Sequence, residues 1–131
     1  MPVTISPILR KALAADAAVS GAAAALMLVG TGILGPLLDL PAGLLQAAGA
    51  VLVPYVLLLA LWSRRPALPR AVILGVVTAN ALWVLGSILL LVAGPVSPNA
   101  LGIAFVIAQA VAVAAFAEFQ VIGLRRSAAA A

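Results

Sequence analysis

Three acids occur in the whole sequence, Asp16, Asp39 and Glu118, and two of them stand inside long apolar runs. A carboxylate is expensive to hold in hydrocarbon, so acids within such runs are the first candidates for proton or cation handling. Glu118 is the foremost, as the only carboxylate well inside the fourth run. It also has a purely structural reading. Arg125 follows seven residues later, about 700° around a helix of 3.6 residues per turn and so on nearly the same face, where a long side chain can reach back and pair with it. Asp16 lies near the start of the first run, where the helix dipole and the nearby Arg10 and Lys11 favour an anion.

The uncharged polar residues within the runs are few. Counting inward from the basic residues at about 1.5 Å per residue, Asp16 lies about 7 Å past Lys11, Glu118 about 10 Å from Arg125, Tyr55 about 13 Å from Arg64 and Asn80 about 15 Å from Arg70. Those four could share one layer. Gln109 sits deeper. Asn80 and Gln109 are expected to bridge helices by hydrogen bonds worth about 1 kcal/mol or less each. Tyr55 follows Pro54, whose missing amide frees a carbonyl one turn earlier and is expected to kink the helix; the phenol could serve that carbonyl or a carboxylate.

Other chemistry is excluded by composition. The sequence has no Cys and no His, which removes disulfides, thiol chemistry, Cys/His zinc sites and His-ligated haem. No Gly-rich phosphate loop and no serine with an activating partner is evident, so no catalytic residue, metal or cofactor is expected.

The elements that must position these residues are membrane helices. With 66% hydrophobic and 8% charged residues, the chain has too few polar side chains to cover a core against water. Four apolar stretches, about residues 12–34, 42–62, 71–93 and 99–123, each exceed the roughly 20 residues that span the bilayer core. Between them lie Gly35-Pro36 with Asp39 and Pro41, then Ser63 to Pro69, then Gly94 to Asn99, all turn-forming. Ser6-Pro7 and Ser97-Pro98 place a capping hydroxyl before a proline at the first helical position. The reading is an all-α membrane protein, a single transmembrane domain over residues 1–131, folded as an antiparallel four-helix bundle with short loops.

Orientation follows from the cations. Arg10 and Lys11, then Arg64, Arg65 and Arg70, then Arg125 and Arg126 flank alternate ends of the four runs. The positive-inside rule places both termini and the central loop in the cytoplasm, and a bacterial inner membrane suits the composition. Trp62 is placed as an interfacial anchor. The pI of 11.3 therefore reflects topology and not nucleic-acid binding. The first run is longer than the 7 to 15 residues of a signal-peptide core, so cleavage is not expected.

Small residues at spacing four, such as Ala14, Ala18 and Ala22, Gly43 and Ala47, Gly75 and Ala79, and Ala104, Ala108 and Ala112, would let helices pack closely. Gly35-Pro36 with Gly43 and Gly94-Pro95 with Gly102 hint at two duplicated hairpins. In length and helix count the chain resembles the small multidrug resistance exporters. That resemblance implies a dimer working around a membrane carboxylate, here Asp16. The chain departs from that pattern in having no aromatic-lined pocket expected beside Asp16, and in an arginine asymmetry that opposes dual topology.

Three functions are compatible with this reading. With no loop large enough for a soluble substrate, the favoured one is a non-catalytic component packing against itself or a larger membrane complex. The others are a small oligomeric transporter or channel using Glu118 and Asp16, and a lipid-binding protein whose basic rim engages anionic headgroups. The expected partners are membrane lipids and another copy or membrane protein.

Overall fold

The computed structural model describes residues 2–129. It is all-helical in its membrane part, with five helices, α1 (Pro7–Val29), α2 (Thr31–Leu38), α3 (Ala42–Trp62), α4 (Arg70–Ala93) and α5 (Ala100–Arg125). All but α2 are long and apolar enough to cross a membrane. Their outward faces are strongly apolar, as at Val29, Ile33, Val51, Leu82 and Val92, which is what a hydrocarbon solvent requires.

The first span begins earlier and ends sooner than its hydropathy suggests. Ser6 caps α1 through a bond from the Leu9 amide, with Pro7 at the first helical position. Gly30 then interrupts the helix and α2 follows as a separate short piece. It ends at Asp39, whose left-handed backbone (φ 57°, ψ 45°) donates its amide to the Gly35 carbonyl. The fourth span is capped by Asn99, whose side chain accepts from the Gly102 amide, and not by Ser97. Helix α3 continues through Pro54 without interruption.

Three short strands, β1 (Pro2–Thr4), β2 (Ala67–Pro69) and β3 (Ala128–Ala129), form an antiparallel sheet in the order β2, β1, β3. Hydropathy gave no sign of it. The sheet gathers both ends of the chain and the α3–α4 connection at one end of the molecule, the end that holds the seven basic residues. Arg10 reinforces it by donating to the Ser63 and Arg65 carbonyls. The chain is tied in after α5: Ser127 Oγ accepts from the Ser6 amide and donates to the Gly123 carbonyl. Positions 130 and 131 lie outside the described residues.

Helix α1 is the central post. Leu9, Leu13, Asp16, Ser20, Ala24 and Met27 are buried along one face, spaced by three or four residues as a single helical stripe requires. It packs on α3 and on α5, and α4 packs on α5; α3 and α4, though consecutive, hardly approach each other. The four spans thus form a ring with one open seam.

The small-residue rows named from the sequence do not make these contacts. Ala14, Ala18, Ala22, Gly43, Ala47, Gly75, Ala79, Ala104 and Ala108 lie on exposed faces, and Ala112 is half-buried on the wall of an interhelical cavity. Close approach occurs instead at Gly123, where a Cβ would stand 2.6 Å from the Leu9 Cα, and at Gly102, where it would stand 2.2 Å from the Leu38 carbonyl oxygen. The proposed hairpin duplication also fails. Gly35-Pro36 is inside a helix whereas Gly94 caps one, and Gly43 is exposed whereas Gly102 is buried.

Candidate functional site: a buried carboxylate beneath an interhelical cavity

Two apolar clusters fill the bundle. One, at the basic end, gathers Leu9, Leu13, Leu59 and Ile73, and the other gathers Met27, Leu38, Leu45 and Val106. Between them lies a polar layer drawn from all four spans. Asp16 of α1 is 0% exposed. Its Oδ1 accepts from Ser20 Oγ one turn on at 2.8 Å. Its Oδ2 accepts from Tyr55 Oη of α3 at 2.9 Å, Asn80 Nδ2 of α4 at 2.9 Å and Gln120 Nε2 of α5 at 2.8 Å. Asn80 Nδ2 also donates to Gln120 Oε1 at 3.0 Å, and Tyr55 Oη stands 2.7 Å from Asn80 Oδ1.

The layer is what a buried carboxylate in hydrocarbon demands. Four donors surround two oxygens, and each donor belongs to a helix that the carboxylate thereby holds in place. None of those partners is a cation. The sequence expectation that Arg10 or Lys11 would serve Asp16 is therefore corrected, since Arg10 is bonded to the α3–α4 connection.

The shared layer predicted for Asp16, Tyr55, Asn80 and Glu118 holds for the first three and fails for Glu118. Glu118 faces outward from α5 and has no hydrogen-bond partner among the described residues, Arg125 included. Gln120, two positions on, takes its place in the layer at 0% exposed. Two residues rotate a helix by about 200°, so the two side chains point to opposite faces. The buried residues of α5 are Gly102, Val106, Ala110, Gln120, Gly123 and Leu124, a face that its almost uniformly apolar sequence does not mark.

Gln109 is placed as expected, bridging α5 to α4. Trp83 Nε1 donates to its Oε1 at 2.7 Å, and its Nε2 donates to Ser87 Oγ at 2.9 Å and to the Val106 carbonyl at 2.8 Å. Ser87 in turn donates to the Trp83 carbonyl one turn back.

Between these two polar groups lies a cavity of about 630 Å³, lined by α1, α3, α4 and α5. Ser20, Tyr55 and Asn80 form its polar edge on the Asp16 side, Ser87 and Gln109 add polar groups on the other, and the rest is apolar or aromatic, with Trp83, Phe105 and Phe116 in its walls. This corrects the expectation that no aromatic-lined pocket accompanies Asp16. Val51 on α3 and Leu82 on α4 both line the cavity and are 63% and 62% exposed, which sets its mouth at the open seam between those helices.

No group of His, Cys, Asp and Glu among the described residues could hold a metal ion. The seven basic residues that set the expected topology bear no relation to the cavity, whose lining carries no Lys or Arg. Comparison with family models, with curated proteins and with solved structures finds no match for this chain.

Proposed function

We propose that this protein is a non-catalytic, multi-pass membrane protein that takes an apolar or amphiphilic small molecule from the bilayer into the cavity between its helices, as a small transporter or carrier does. It threads an inner membrane as an antiparallel bundle with both termini and the basic end in the cytoplasm. One observation carries the reading: a cavity that opens through the α3–α4 seam and closes on Ser20, Tyr55 and Asn80, directly over the buried Asp16. Small-molecule sites have this composition, mostly apolar walls and a few converging polar groups. An intramembrane carboxylate with no counter-charge marks a pathway or a ligand position more often than a packing site.

Filling the cavity tests the proposal. Gly86 lines it, and nothing lies within 4 Å of where its Cβ would be, so Gly86→Phe projects into free space. Wild-type protein in lipid nanodiscs is expected to bind a hydrophobic amine saturably, above the uptake of empty nanodiscs. The Gly86→Phe protein, folded to the same helix content, is expected to lose that binding. Equal binding by both would remove the cavity from the account.

A second reading, assembly with another copy or a larger complex, is favoured by Glu118. A carboxylate aimed outward from a membrane helix has no solvent to meet unless protein covers it. Glu118→Gln is expected to change the oligomeric state seen by native mass spectrometry, and an unchanged distribution would remove this reading.

A further inference from the structure

The hydrogens around the cavity decide what kind of molecule it can hold. Six polar side chains line it: Ser20, Tyr55, Asn80, Trp83, Ser87 and Gln109. Every hydrogen they carry is committed inside the protein. Ser20 gives its hydroxyl hydrogen to Asp16. Tyr55 has one hydrogen and two acceptors, Asp16 and Asn80, so it is used whichever it takes. Asn80 spends both amide hydrogens, on Asp16 and Gln120. Trp83 gives its indole hydrogen to Gln109, Ser87 gives its own to the Trp83 carbonyl, and Gln109 spends its pair on Ser87 and the Val106 carbonyl.

The amide orientations are fixed by their neighbours. An indole N–H only donates and a peptide carbonyl only accepts, so Gln109 must turn its oxygen to Trp83 and its nitrogen to Val106. The Asp16 carboxylate in the same way turns the nitrogens of Asn80 and Gln120 toward itself. The backbone adds no donor, because the helical amides of the walls are bonded within their helices. Acceptor capacity is left over by contrast: hydroxyl and amide oxygens each have two lone pairs, and Ser20, Ser87, Asn80 and Gln109 do not fill theirs.

We infer that the cavity selects a ligand whose head group donates hydrogen bonds, an amine or an alcohol on an apolar body, and rejects heads that only accept, such as ketones, carboxylates and phosphates. This inference rests on the cavity being a ligand site, as proposed above. A buried acceptor head would face only acceptors here and stay unpaired, whereas a donor head meets unfilled lone pairs at the polar edge.

The test uses four probes with the same number of carbons and different heads: decylamine, decanol, methyl octyl ketone and decanoate. Each is titrated below its aggregation limit into nanodiscs holding the full chain, with empty nanodiscs subtracted. The amine and the alcohol are expected to bind at least about tenfold tighter than the ketone and decanoate, the discrimination that one unpaired buried polar group imposes. The variant Ala23→Asn, one turn beyond Ser20 on the cavity wall, adds free N–H donors and is expected to bring the ketone to within roughly threefold of the alcohol. Ketone or decanoate binding as tight as the alcohol in the wild type overturns the donor rule and leaves the cavity reading standing. Binding of none of the four overturns both.

Discussion

The Tyr55 hydroxyl on α3 stands 2.7 Å from the side-chain oxygen of Asn80 on α4, and this is the single hydrogen bond joining those two helices among the described residues. The helices otherwise hardly approach, so this contact closes the seam at its basic end and leaves the cavity open beyond it. Tyr55→Phe is expected to cost about 0.6 to 1.7 kcal/mol, the range of interhelical hydrogen bonds in membranes. A double-mutant cycle with Asn80→Ala, measured by reversible unfolding in mixed micelles, should show coupling of the same size. Additive effects would mean that the two side chains do not meet.

Asp16 ties four spans through one carboxylate, so its loss should exceed that of any partner. Asp16→Ala strands donors from Ser20, Asn80 and Gln120 and leaves Tyr55 only Asn80 as acceptor, and is expected to destabilise by about 2 to 4 kcal/mol, against about 1 kcal/mol for Ser20→Ala. The same unfolding measurement ranks them. A smaller effect at Asp16 than at Ser20 would contradict the network as drawn.

Gln120 and Glu118 reverse the expectation that charge alone would set. Glu118→Gln is expected to leave the stability of the isolated chain within about 0.5 kcal/mol, while Gln120→Ala costs roughly 1 to 2 kcal/mol by removing a donor and an acceptor from the layer. Thermal unfolding of both variants in the same detergent decides the order.

The contrast shows how far the residues could be read before the fold was known. Four spans were legible because hydrocarbon imposes a length and a composition that nothing else in the chain imitates, and α3 and α4 end within a residue of the apolar runs. The polar layer is legible as a depth, and depth alone brings Asp16, Tyr55 and Asn80 to one level, where the structure joins them. Depth says nothing about rotation. Glu118 and Gln120 differ little in depth and fully in direction, and the carboxylate drew the choice. Small-residue rows misled for a related reason: in an Ala-rich helix every face has one, and the contacts fall at Gly102 and Gly123, where another backbone comes close. The short sheet was invisible because it depends on pairing between segments far apart in the chain.

Those two glycines separate packing from propensity. A methyl at Gly123 or Gly102 meets the backbone of Leu9 or Leu38, so Gly123→Ala and Gly102→Ala are each expected to lose more than about 2 kcal/mol. Gly75→Ala, with nothing within 4 Å, should gain up to about 1 kcal/mol from helix propensity. Unfolding midpoints of the three variants give the sign directly.

Threading is tested by reporters. A fluorescent protein fused after Arg126 is expected to light up and alkaline phosphatase inserted after Val96 to be active, since the basic residues gather at one end and the Gly94 to Asn99 connection carries none. The opposite pair of signals would invert the protein in its membrane.

The most direct test of the cavity uses Trp83, which lines it. With Trp62 replaced by Phe, Trp83 is the only tryptophan left, and a brominated alkylamine should quench it saturably in nanodiscs, with Gly86→Phe abolishing the saturable part. Quenching that rises in proportion to the amine dissolved in the lipid, identically in both proteins, would mean that the bilayer and not the cavity holds the ligand.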